Sequence, residues 1–242
     1  MLKPQLRKGI AMIELIFAIV IMGIVLMSAP MLVSQASKSG LVMVQQEAIA
    51  AASTNIGMIL TRHWDERDTN ESLESPILVA NGSSQLNEAV DADGNLTGRR
   101  AGTPDLSYRS FLTSLGGRLN ASSTLGAEGG DDDDIDDFNG QTITLGTPAA
   151  TDATTTELGD YADTSLQLAT AVSYISDGNG YNSSSMTYNS PFTSAAAGTS
   201  NIKAVSTTAT SGSHDAELGT NITLSAFSCN IGTYTLKERS FQ

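Results

Sequence analysis

Six carboxylates in seven positions, Asp131, Asp132, Asp133, Asp134, Asp136 and Asp137, form the densest chemical feature of the chain. Like charges this close repel one another unless water or a cation neutralises them. Two readings follow. In one, the run is a solvated acidic loop leading into a strand, anchored by Ile135 and Phe138. In the other its oxygens enclose calcium, which accepts hard ligands on a flexible loop, although the spacing lacks the twelfth-position glutamate of an EF-hand. Asp91-Ala92-Asp93-Gly94-Asn95 contains half of a calcium loop but reads first as a turn between two short strands. Ser213-His214-Asp215 sets three hydrolase residue types side by side. Adjacent side chains rarely converge on one reacting atom, and no nucleophile elbow accompanies them. His63-Trp64-Asp65 falls at a helix end, where packing and capping explain it better than metal ligation. No set of residues supports catalysis, so the chain is read as a non-enzyme, with calcium the one candidate cofactor.

A different kind of carboxylate is Glu14. It opens the only long apolar run, residues 15–33, which carries no charge. At about 1.5 Å per residue that run reaches roughly 28 Å, close to the hydrocarbon thickness of a bilayer. Lys3, Arg7 and Lys8 precede it, so the positive-inside rule places residues 1–8 in the cytoplasm and the remainder outside. An unpaired acid at the centre of a membrane helix costs roughly 2.5–3.5 kcal/mol on insertion, which makes Glu14 a functional candidate. An ordinary secretory signal ending at Ser34-Gln35-Ala36 has a shorter apolar core. A plain anchor leaves Glu14 without a purpose.

The run Lys8-Gly9-Ile10-Ala11-Met12-Ile13-Glu14-Leu15 resembles the processing signature of type IV pilins and type II secretion pseudopilins. The resemblance covers about the first 55 residues. It implies a leader, residues 1–9, removed by a prepilin peptidase between Gly9 and Ile10, with methylation of the new N-terminus. It also implies that Glu14 is the glutamate at the fifth mature position. Cleavage would create an ammonium at Ile10, and a buried ammonium and a buried carboxylate each need a partner of opposite sign. Glu14 of one subunit meeting the Ile10 amine of a neighbour would set axial register. Asp133-Asp134-Ile135-Asp136-Asp137-Phe138-Asn139-Gly140 is in addition similar to a segment of large minor pilins of mannose-sensitive haemagglutinin-type pili.

The elements that would position these residues follow from patterning. Residues 10–33 read as a transmembrane or filament-core helix, with Pro30 expected to bend or loosen it. Residues 34–65 read as the amphipathic half of the same helix, with Val42, Ile49, Ala52, Ile56, Ile59 and His63 on one stripe. The whole would be roughly 80 Å long. Residues 66–242 read as an extracytoplasmic α+β head with Ser-, Thr- and Asp-rich loops. Its early part is a polar connection interrupted by a short strand at 77–80. Thr103-Pro104-Asp105 has the N-cap, proline and acid of a helix start, with Tyr108, Phe111, Leu112 and Leu115 on its apolar face. Beyond Gly140 the period becomes alternating, which predicts strands at 142–145, 166–175, 186–188, 202–209, 222–227 and 234–236. Asp177-Gly178-Asn179-Gly180 and Asn230-Ile231-Gly232 supply turns, and 147–164 a surface loop. The fold class is thus α+β: a long N-terminal helix packed on an antiparallel sheet, pilin-like by the resemblance.

Composition limits the partners. With 26 acidic and 13 basic residues the net charge is -13, and no basic stripe exists to grip a nucleic-acid backbone. A single cysteine, Cys229, excludes an intrachain disulfide and a multi-cysteine zinc site. The same lone cysteine, together with a mature length above that of most major pilins, points to a minor pilin or pseudopilin. The partners implied are the prepilin peptidase, an inner-membrane assembly platform, other pilin or pseudopilin subunits and the membrane. The implied location is the bacterial inner membrane, single-pass with the head in the periplasm, then a periplasmic or surface filament. The alternative is a singly anchored extracytoplasmic adhesin or ligand-binding protein.

Overall fold

A computed structural model describes residues 7–69, 75–104, 109–128, 130–145, 165–178, 180–185, 192, 194–211 and 221–234. It contains one long helix, α1 (Arg7–Ile59), a hairpin of β1 (Glu88–Val90) and β2 (Leu96–Arg100), and four further strands. These are β3 (Thr142–Leu145), β4 (Leu166–Tyr174), β5 (Ile202–Ser211) and β6 (Asn221–Cys229), joined as one antiparallel sheet in the order β3-β4-β5-β6. The layout is α+β, with the apolar helix first and antiparallel sheets after it.

α1 runs for 53 residues and continues through Pro30. Every position from 12 to 39 is exposed, and this half is long and apolar enough to cross a membrane. The C-terminal half lies on the sheet, where Ala48, Ala52, Ile56 and Ile59 are buried. The buried stripe is rotated from the expected one. Val42 and Ile49 face outward, while Ala48 and Asn55 turn inward. Two alanines and an asparagine let the helix approach the sheet more closely than larger side chains would.

Each turn of this half meets a successive rung of β4 and β5. The pairs Leu168–Ala209, Thr170–Thr207, Val172–Val205 and Tyr174–Lys203 stand opposite one another. Ala48 and Ala52 pack with Leu166, Leu168 and Ala209; further along, Ile59 packs with Val172, Tyr174 and Val205. β4 alternates buried and exposed positions with period two, as its sequence requires.

α1 ends at Ile59 rather than near Asp65. Past a frayed turn, His63 N–H donates to Asp133 O at 3.3 Å and Ile135 N–H donates to His63 O at 3.0 Å. The chain therefore leaves the helix to pair with the acidic segment. The helix expected from Thr103 is absent among its described residues. Phe111 is buried, its N–H donates to Gly98 O at 2.8 Å, and Ser110 O accepts from Ile77 N–H at 2.7 Å. Backbone partners distant in sequence, Ile77 and Gly98, stand here in place of helical ones. Residues 77–80 form no named strand; Val79 makes a single bridge to Asn120. The two-strand reading around Asp91 holds. Asp91 Oδ1 accepts from Asp93 N–H at 3.0 Å and Asn95 N–H at 2.8 Å, closing the β1–β2 turn.

Strands 142–145, 166–175, 202–209 and 222–227 are present with small extensions or trims at their ends. The expectations for 147–164, 186–188 and Ser213-His214-Asp215 lie outside the described residues. So do residues 235 and 236, and Tyr234 itself is not in a strand. Neither expected turn residue at Asp177 or Asn230 is at the surface. Asp177 accepts from Ser83 N–H at 2.6 Å and Asn201 Nδ2 at 2.7 Å. Asn230 acts as a short strand for Leu78, accepting from its N–H at 3.0 Å and donating to its O at 2.7 Å.

Candidate functional site

The acidic run is divided between surface and interior. Asp131 and Asp132 are exposed and Asp133 is half-buried, whereas Asp134, Asp136 and Asp137 are buried. Ile135 and Phe138 anchor the segment in the main core, as expected, and Asp136–Phe138 forms one 3-10 turn. The uniformly solvated loop is corrected by that anchoring: two apolar side chains three residues apart draw the intervening acids inward.

The buried acids each have a structural task. Asp134 Oδ1 accepts from the N–H groups of Asp136, at 2.5 Å, and Asp137, at 3.1 Å. Asp137 Oδ2 accepts from Asp133 N–H at 3.0 Å and Asp134 N–H at 3.1 Å. These reciprocal bonds satisfy backbone donors that no helix or strand would reach. Asp132 Oδ1 accepts from Gln141 Nε2 at 2.6 Å. Asp131, Asp133 and Asp137 each place one oxygen within 4.8 Å of the others, a spacing a cation could bridge. Glu66 stands in the field of these three and of Glu128. Burial first, then that repulsion, holds its carboxyl above the ordinary range.

Behind this cluster lies a feature that the sequence reading missed. Lys203, on β5, is wholly buried, with its Nζ 2.9 Å from Asp65 Oδ2 and 2.5 Å from Asp136 Oδ1. It also donates to Trp64 O at 2.7 Å, and it lies over the Trp64 ring at 4.1 Å and near the Tyr174 ring at 5.2 Å. Asp65 is itself fully buried, and its oxygens accept from Ser122 N–H, Arg67 N–H and the Tyr174 hydroxyl. The Asp136 contact lies outside hydrogen-bond angles, and Asp136 Oδ2 has no hydrogen-bond partner. His63-Trp64-Asp65 is thus a packing and capping set, with Asp65 capping the Glu66–Asp68 turn.

Burial dominates the titration of these acids. It pushes Asp134 up to about 8, helped by Asp136, and Asp136 up to about 7 despite the pull of Lys203. Asp68 rises to about 6 by burial, opposed by His63 at 3.3 Å. One signal in the sequence pointed to Lys203. It shares the inward row of β5 with Val205, Thr207 and Ala209, so alternation alone placed an amine in the core.

Gly9 and Ile10 fall within the first turns of α1, and Glu14 is exposed on its apolar half. The helix holds these residues far from the acidic segment, so the structure brings together two separate sets: one at the start of α1 and one beneath its C-terminal end. Comparison with family models, with curated proteins and with solved structures finds no match for this chain.

Proposed function

We propose that the chain is a pilin-like structural subunit, a minor pilin or pseudopilin, assembled through its N-terminal helix into a filament. The observation that carries this reading is the division of α1. Its first half, exposed from 12 to 39, has an apolar surface that one copy cannot cover, while its second half is the buried spine of the head. Such a surface needs lipid or other helices around it. A subunit held in the inner membrane and then packed into a helical bundle meets both needs in turn, exchanging lipid contacts for close helix packing.

Glu14 supports the same reading, because a lone acid in that surface is tolerable where a neighbour offers an ammonium. In this scheme Gly9 precedes the peptidase cut, Ile10 provides the amine, and Glu14 accepts it. Mass spectrometry of the N-terminus tests the scheme. The isolated protein should begin at a methylated Ile10, and Gly9→Val should retain Lys3 to Lys8. A natural start at Ser37 would identify an ordinary secretory signal and remove the filament reading.

A further inference from the structure

We propose that Lys203 and Asp136 join through an autocatalytic isopeptide bond, formed inside the folded head with loss of one water. This goes beyond the filament reading and does not depend on it. Three observations point to it. The amine is wholly buried and lies 2.5 Å from the Asp136 carboxyl, outside hydrogen-bond angles, so it is close to that group without being tied to an oxygen lone pair. A second buried carboxylate, Asp65, touches the same nitrogen at 2.9 Å. The rings of Trp64 and Tyr174 line the nitrogen and leave no exposed surface on Lys203.

The two carboxyls differ in a way that assigns their roles. Asp65 accepts hydrogen bonds from two backbone N–H groups and a tyrosine hydroxyl, which fix its oxygens in place beside the nitrogen. Asp136 has no such donors; its backbone partners bind other atoms, and its Oδ2 is bare. One ammonium facing two buried carboxyls is neutral overall when one of them is protonated, and Asp136 is the one with nothing to stabilise a charge besides that ammonium.

The chemistry balances with these three side chains alone. Asp65 takes a proton from the Lys203 ammonium, which removes the remaining pair of buried charges. The free amine attacks Cγ of the protonated Asp136 carboxyl, forming the C–N bond. The nitrogen gives up a second proton as the C–OH bond breaks, Asp65 relays a proton to the departing hydroxyl, and water leaves. One ammonium, one carboxylic acid and one carboxylate become one amide, one water and a protonated Asp65. Nothing is oxidised or reduced. Fixed proximity supplies the drive that an amine and an acid lack in dilute solution, since well-oriented intramolecular reactants reach effective molarities of about 10⁵–10⁸ M. In a head with one cysteine, the bond would close a loop between the acidic segment and β5, a role that disulfides serve elsewhere.

Tryptic mapping of the denatured, full-length protein tests this. A free Lys203 is a cleavage site, whereas an acylated one is not. The expected product is a single piece, residues 119–237, lighter by one water than its sequence and carrying the link between 136 and 203. Two linear pieces, 119–203 and 204–237, would overturn the proposal. A branched product joining Lys203 to residues 63–67 would overturn the assignment to Asp136. Lys203→Gln should restore the full sequence mass. Asp65→Asn should leave Lys203 cleavable while the head keeps its circular dichroism; a link formed as completely as in the natural protein would overturn the proton-carrier role of Asp65.

Discussion

The Asn55 side-chain amide donates to the Thr207 hydroxyl at 3.1 Å and to the Thr170 hydroxyl at 3.0 Å, in the middle of the helix–sheet interface. All three residues are buried. One polar group on α1 is thus matched to one rung of the sheet, Thr170 facing Thr207, and sliding the helix by a turn would take the amide away from both hydroxyls. Asn55→Ala should lower the stability of the head by about 1–3 kcal/mol, the cost of stranding buried hydroxyls. Adding Thr170→Val and Thr207→Val should recover much of that loss. Chemical denaturation of the three variants checks both statements. Equal stability of Asn55→Ala and the natural protein would mean that the amide contributes nothing to register.

Gly82 is the second packing constraint. A Cβ there would sit inside contact distance of all three carboxyl atoms of Asp177, the acid that receives Ser83 and Asn201. Gly82→Ala should therefore displace Asp177 and destabilise the head more than Gly94→Ala, which lies in an open turn with positive φ. Thermal melting of the two variants gives the comparison.

How much of this was legible follows from what each residue signals. Alternation is a local property, so β3 to β6 could be read directly, and an uninterrupted apolar run announces α1. The acidic run was visible, but its burial was not, because the anchoring of Ile135 and Phe138 depends on core positions far away in sequence. The buried partners of Lys203, Asp177 and Asn230 went unread for one reason. Each is a polar residue whose burial is made tolerable by partners 24 to 152 residues distant, and no local pattern reports such partners. The helix expected from Thr103 failed by the same logic: good capping residues lost to backbone bonds made by Ser110 and Phe111 to the distant Ile77 and Gly98.

The raised carboxyls make stability depend on pH. In the unfolded chain Asp134 and Asp68 titrate near 4, but in the fold near 8 and 6, so the folded state binds their protons more tightly. Their contribution is complete below about pH 4 and disappears as pH rises through 6 to 8. Asp136 behaves in the same sense wherever its carboxyl is free. The head should melt lower at pH 8.5 than at pH 6. Asp134→Asn keeps an acceptor for the N–H groups of Asp136 and Asp137 without a titrating group, and should flatten that difference.

Charge crowding around Glu66 yields a separate expectation. Asp131, Asp133, Asp137 and Glu128 all act on Glu66, and Asp131 is exposed. Asp131→Asn should raise the melting temperature slightly in a chelator and low salt, with the gain shrinking as sodium screens the repulsion. Calcium at matched ionic strength should do no more than sodium for a merely acidic surface. If calcium instead stabilises the natural protein and not the variant, the three clustered oxygens hold a cation.

In the proposed filament, substitutions of Glu14 distinguish membrane insertion from assembly. Replacing it with Ala removes the one acid of the exposed half, which favours insertion by about 2.5–3.5 kcal/mol. Under the filament proposal it also removes the counter-charge for a neighbour's N-terminal ammonium. The Glu14→Ala chain should therefore be cleaved after Gly9 and accumulate in the inner membrane, yet be depleted from sheared filaments. Glu14→Asp retains the charge but shortens its reach by one methylene, and should fall between the two. Quantitative immunoblotting of membrane and filament fractions measures the partition. Filament content of the alanine variant equal to that of the natural protein would show that the pairing is not what sets register, whereas loss from the membrane fraction would place the role of Glu14 in processing or stability instead.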